Sequence, residues 1–106
     1  MSGQLRLQAQ QVQIVDLIVE NIVLMQDQSG LKVPPHLQPG TALFGGDGFL
    51  DSMALVTLVV ALEQGIEEQF GVTVTLADAA AMSQERSPYR TIQALAEFAI
   101  LRMQAD

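Results

Sequence analysis

The chain has 106 residues, no cysteine, no tryptophan and one histidine, with 12 acidic against 5 basic side chains. That length supports a single domain, and the missing cysteines exclude disulfides, thiolate metal sites, iron–sulfur clusters and a cysteine nucleophile. The lone His36 excludes multi-histidine zinc sites, and a net charge of -7 opposes nucleic acid and anionic membrane surfaces as partners, since both select basic proteins.

Hydrophobic residues make up 49% and aromatics only 5%, so the core is built from Leu, Val, Ile, Ala and Met, a composition that suits a small helical bundle. The apolar runs are short and broken by polar residues, so none is long enough to span a membrane. The opening MSGQLRLQAQQ lacks the apolar stretch of a signal peptide. The expectation is a soluble, cytoplasmic, monomeric protein.

The first element is a long amphipathic helix over residues 5–27. Ile14, Val15, Ile18, Ile22 and Met25 recur at spacings of three and four and line one face. Ser29-Gly30 ends it. Residues 31–51 read as a loop, because Pro34, Pro35 and Pro39 preclude a regular helix and Gly40, Gly45, Gly46 and Gly48 signal turns. A loop of this length is uncommon and is usually functional or disordered. Leu43, Phe44, Phe49 and Leu50 are too apolar for a disordered linker and read as anchors to the bundle.

A second helix spans residues 52–70, with Leu55, Val59, Leu62, Ile66 and Phe70 as its buried stripe and Gly71 as its stop. Val72–Thr75 alternates like a strand, but no second strand is available to pair with it. A short third helix is expected over 76–82. The last helix is expected over 88–104, with Ile92, Leu95, Ala99 and Met103 facing inward; Pro88 and Thr91 are both good first-turn residues, which leaves its start open. The fold class is all-α, a four-helix bundle.

The negative charge is concentrated. Residues 33–85 contain no Lys or Arg but hold Asp47, Asp51, Glu63, Glu67, Glu68, Asp78 and Glu85. A solvated acidic face accounts for this on its own; a surface that steers basic partners is the functional alternative.

The most informative segment is Leu43-Phe44-Gly45-Gly46-Asp47-Gly48-Phe49-Leu50-Asp51-Ser52-Met53. Asp and Ser are favoured helix N-caps, so Asp51-Ser52 before an apolar run can simply start a helix. An exposed serine at a helix N-terminus is also a good place to attach a phosphodiester, because backbone N–H groups and the helix dipole stabilise the anion.

The ordered set of features resembles the acyl and peptidyl carrier protein family, over nearly the whole chain. After the long first helix and the glycine-bearing loop comes Leu50-Asp51-Ser52-Met53, close to the family's Asp-Ser-Leu signature. Glu68-Gln69-Phe70-Gly71-Val72-Thr73-Val74 is similar to its Glu-x-Phe-Gly-Val/Ile-x-Ile element, and Thr91-Ile92-Gln93-Ala94-Leu95-Ala96-Glu97-Phe98 resembles its final helix. The resemblance implies a carrier without catalytic activity of its own. Ser52 would carry 4'-phosphopantetheine, transferred from coenzyme A by a separate phosphopantetheinyl transferase, with Asp51 flanking it. Partners would be an acyl- or aminoacyl-loading ligase or acyltransferase, then downstream synthase enzymes of a fatty acid, polyketide or nonribosomal peptide type of pathway. Met53, Val56, Val60 and Glu63 fall where family members contact partners, with Glu67 and Glu68 extending the acidic patch. Core packing is an equal alternative for Val56 and Val60.

The chain departs from the family in three places. Met53 replaces the usual Leu. Ala54 and Thr57 stand where members from fatty acid synthesis usually carry acids, which points to dedicated partners. The interval from Ser52 to Phe70 is about four residues longer than usual, roughly one helical turn, so the second helix is either longer or broken near Gly65. Two rival classes remain: an acidic helical interaction module in which Ser52 is only an N-cap, and a serine hydrolase. The latter lacks a GxSxG elbow and has only His36, set among prolines, as a base.

Overall fold

A computed structural model describes residues 2–45, 48–77 and 89–105. Among them the chain forms three helices and no strand: α1 (Ser2–Ser29), α2 (Ser52–Phe70) and α3 (Ile92–Ala105). The all-α class is as expected. The short helix expected over 76–82 lies largely outside the described residues; Leu76 and Ala77 are irregular. Val72–Thr75 is also irregular.

Helix α1 packs against both α2 and α3. It buries Ile14, Leu17, Ile18, Ile22 and Met25; α2 contributes Leu55, Leu58, Val59, Leu62 and Ile66, and α3 contributes Ile92, Leu95, Ala96 and Ala99. Three residues of the expected stripes, Val15, Phe70 and Met103, are only half-buried against this core. Gly30 ends α1 in the left-handed region, with φ 69°, and donates to the Gln26 carbonyl at 3.1 Å. Gly71 does the same for α2, with φ 68° and a 2.9 Å bond to the Glu67 carbonyl.

Helix α2 runs unbroken through Gly65, so the long interval after Ser52 is a longer helix. The glycine has a packing reason: a Cβ there would lie 2.9 Å from both Leu17 methyl carbons. Its bare Cα lets α1 and α2 approach closely.

The last helix starts at Ile92, four residues later than the 88–104 span expected. The physical reason is that the first three N–H groups are taken by loop carbonyls or by the cap side chain, and the first i→i−4 helical bond is that of Leu95. Ile92 donates to the Thr41 carbonyl at 3.2 Å, Gln93 to the Pro39 carbonyl at 2.8 Å, Leu95 to the Thr91 carbonyl at 3.0 Å, and Ala94 to Thr91 Oγ1 at 3.0 Å. Thr91 is therefore the N-cap.

The same contacts order the long loop. Ala42 and Thr91 form an isolated antiparallel bridge, and Leu43 donates to the Arg90 carbonyl at 2.7 Å. Leu50 donates back to the Leu43 carbonyl at 2.9 Å, and Gly48 to the Gly45 carbonyl at 3.1 Å. A methyl group at Gly48 would overlap the Leu43 carbonyl and the Phe44 nitrogen, so the close return of the chain needs glycine there. Leu43 and Leu50 are buried, with Phe44 and Phe49 packed against the core beside them. These are the four anchors expected, and they deliver the chain to the start of α2.

Candidate functional site

Asp51 has extended backbone and is the N-cap of α2; its Oδ1 accepts the Ala54 N–H at 2.8 Å, while its carbonyl accepts the Leu55 N–H at 2.9 Å. Ser52 is the first helical residue. The idea that Ser52 itself is the cap is thus corrected, because the carboxylate one residue earlier already occupies that role.

Ser52 is exposed. Its hydroxyl makes no hydrogen bond among the described residues, and the N–H groups of Ser52 and Met53 are likewise without a partner there. Ser52 therefore stands at the positive end of a 19-residue helix, beside two N–H groups that helical bonding leaves unused.

The residues after Ser52 form an outward stripe. Met53 is 81% exposed, Val56 40% and Val60 39%, so both valines lie on the surface and not in the core. Their spacing of three and four puts them in line with Ser52's end of the helix. Between them, the Thr57 hydroxyl donates to the Met53 carbonyl at 3.0 Å, which ties up the one polar side chain of that turn. Ala54 and Thr57 leave this half of α2 uncharged. Glu67 and Glu68 are exposed on its last turn.

Glu63 has an engagement that sequence reasoning missed. It is half-buried, and its Oε2 accepts the N–H groups of both Leu76 and Ala77, the latter at 3.0 Å. The Leu76 carbonyl in turn accepts the hydroxyl of buried Tyr89. Leu76 is therefore held between α2 and the turn before α3. Tyr89 packs edge-on against Phe98, with ring centroids 5.9 Å apart, and the Arg102 guanidinium lies 5.2 Å from the Phe98 ring centre. Glu63 and the two N–H donors it accepts from are 13 and 14 residues apart, a separation with no local sequence signal.

His36 is exposed in the loop. Among the described residues, no group of three His, Cys, Asp or Glu side chains is placed to hold a metal ion. No helix among them is long and apolar enough to cross a membrane. No protein family, curated protein or solved structure matches the chain.

Proposed function

We propose that this chain is an acyl carrier protein, holding acyl or aminoacyl intermediates as thioesters on a 4'-phosphopantetheine group attached to Ser52. The observation that carries the proposal is the condition of Ser52. It is the exposed first residue of α2, and its hydroxyl is left without a partner among the described residues because Asp51 does the capping.

The first turn of α2 fits the group. The N–H groups of Ser52 and Met53 have no partner among the described residues and would hold a phosphodiester oxygen, and the helix dipole favours its negative charge. Asp51 keeps Ser52 in helical geometry with its side chain outward. When bound, the group supplies a thiol on a long arm, which a chain with no cysteine does not itself provide.

Met53, Val56 and Val60 then offer an apolar contact to the enzymes that act on the arm: the phosphopantetheinyl transferase, a loading ligase or acyltransferase, and downstream synthases. With no acid between Ser52 and Val60, this contact relies on apolar burial more than on charge, which fits dedicated partners. Glu63 contributes by holding Leu76 and Ala77 beside α2. Glu67 and Glu68 supply charge at the far end. A short helix following Ala77 would complete a four-helix bundle, and a cytoplasmic, monomeric carrier is the expected form. Transfer from coenzyme A to Ser52, read by intact mass, tests the proposal.

A further inference from the structure

We infer that the outward face of α1 is a second docking surface, shaped for a basic amphipathic helix of a partner protein. The inference does not rest on the carrier proposal; it concerns a different helix.

Helix α1 has two apolar stripes. Ile14, Leu17, Ile18, Ile22 and Met25 face the core. Val12, Val15, Val19 and Val23 follow spacings of three, four and four and run alongside it. Val15 and Val19 are partly covered by the core, whereas Val12 is 60% exposed, Val23 42% and the adjoining Leu24 52%.

Two shallow, open grooves lie along the outer stripe. One concavity of about 560 Å³ is lined by Gln11, Val12, Val15, Asp16, Pro39 and Gln93. A second, of about 380 Å³, is lined by Val19, Glu20, Val23 and Leu24. The two grooves lie about two turns apart along α1, a spacing that successive turns of the ridge of an amphipathic helix laid along the face can fill.

Charge decides the occupant. Each groove has one carboxylate at its rim, Asp16 or Glu20. The pair stands one turn apart on the helix, an arrangement that destabilises an isolated helix. Neither carboxylate has an ion-pair or hydrogen-bond partner among the described residues. Residues 7–31 contain no Lys or Arg, and Asp27 continues the acidic edge. A second copy of the chain would bring two such edges together. A partner helix with Leu or Ile on one face and Lys or Arg beside it fills the grooves and neutralises both rim acids.

The probe is a synthetic peptide helix with a leucine face flanked by lysine and arginine, compared with a twin in which glutamate replaces every basic residue. Binding is followed by fluorescence anisotropy, and the site is mapped by amide chemical shifts on the full chain. The basic peptide is expected to shift residues around Val12, Val19 and Val23, to weaken as salt is raised, and to bind far better than its acidic twin. The double variant Asp16→Lys, Glu20→Lys, changed only at exposed positions, should lose roughly tenfold in affinity while keeping its melting temperature. Val12→Asp should also weaken binding. Ser52→Ala should bind as the parent does, whatever becomes of the carrier proposal. Equal binding of the two peptides, no binding, shifts centred on Met53 and Val56, or self-association of the chain through α1 would each overturn the inference.

Discussion

Asp51 takes the capping role that its neighbour Ser52 is equally equipped to fill. The carboxylate accepts the Ala54 N–H at 2.8 Å, and the serine enters the helix as an exposed residue with an unengaged hydroxyl. One position thus starts the helix and the next is left available for chemistry.

This division of labour is measurable. Asp51→Ala should lower stability by about 1 kcal/mol, the usual loss for a removed N-cap, and Asp51→Asn by much less. Ser52→Ala should leave the denaturation midpoint within about 0.5 kcal/mol of the parent, as for an ordinary surface site. If Ser52→Ala were the more damaging change, the capping assignment would be wrong.

The loop before α2 should be intolerant at one glycine and tolerant at another. A methyl at Gly48 collides with backbone atoms of Leu43 and Phe44, while at Gly40 nothing lies within 4 Å. Gly48→Ala should therefore destabilise by about 1–3 kcal/mol, in the range of overpacking in rigid surroundings. Gly40→Ala should be neutral or slightly stabilising through the unfolded chain. Chemical denaturation of the two variants side by side checks this.

Glu63 should behave as a structural acid and its neighbours as surface ones. Glu63→Ala removes the acceptor of two backbone N–H groups, one of them on fully buried Leu76. The expected loss is about 1–3 kcal/mol, the cost of leaving such donors unmet. Glu67→Ala and Glu68→Ala, both exposed, should change stability by less than about 0.5 kcal/mol. Equal effects at all three positions would contradict the assignment.

Helical periodicity made the interior of the fold legible. The inward stripes of α1 and α2 follow spacings of three and four that sequence alone displays, and Gly30 and Gly71 end those helices where they were expected to. Choices between chemically equivalent residues were not legible. Asp51 and Ser52 are both good caps, and only the extended backbone of Asp51 separates them. Pro88 and Thr91 both start helices, and the decision comes from loop carbonyls of Pro39 and Thr41, some fifty residues away in sequence. Val56 and Val60 fit a buried or an exposed face equally well until α1 is seen to cover the opposite side of α2. The tie between Glu63 and Leu76 depends on how the chain returns after Gly71, which no local pattern encodes. The exposed serine was visible from its motif, while its unengaged hydroxyl required the three-dimensional arrangement.

The most direct test incubates the purified chain with coenzyme A, magnesium and a promiscuous phosphopantetheinyl transferase, then measures intact mass and sequences the modified peptide. The carrier proposal predicts a gain of one 4'-phosphopantetheine group, located on Ser52 and abolished by Ser52→Ala. No gain in mass, or a gain that persists in Ser52→Ala, would contradict it.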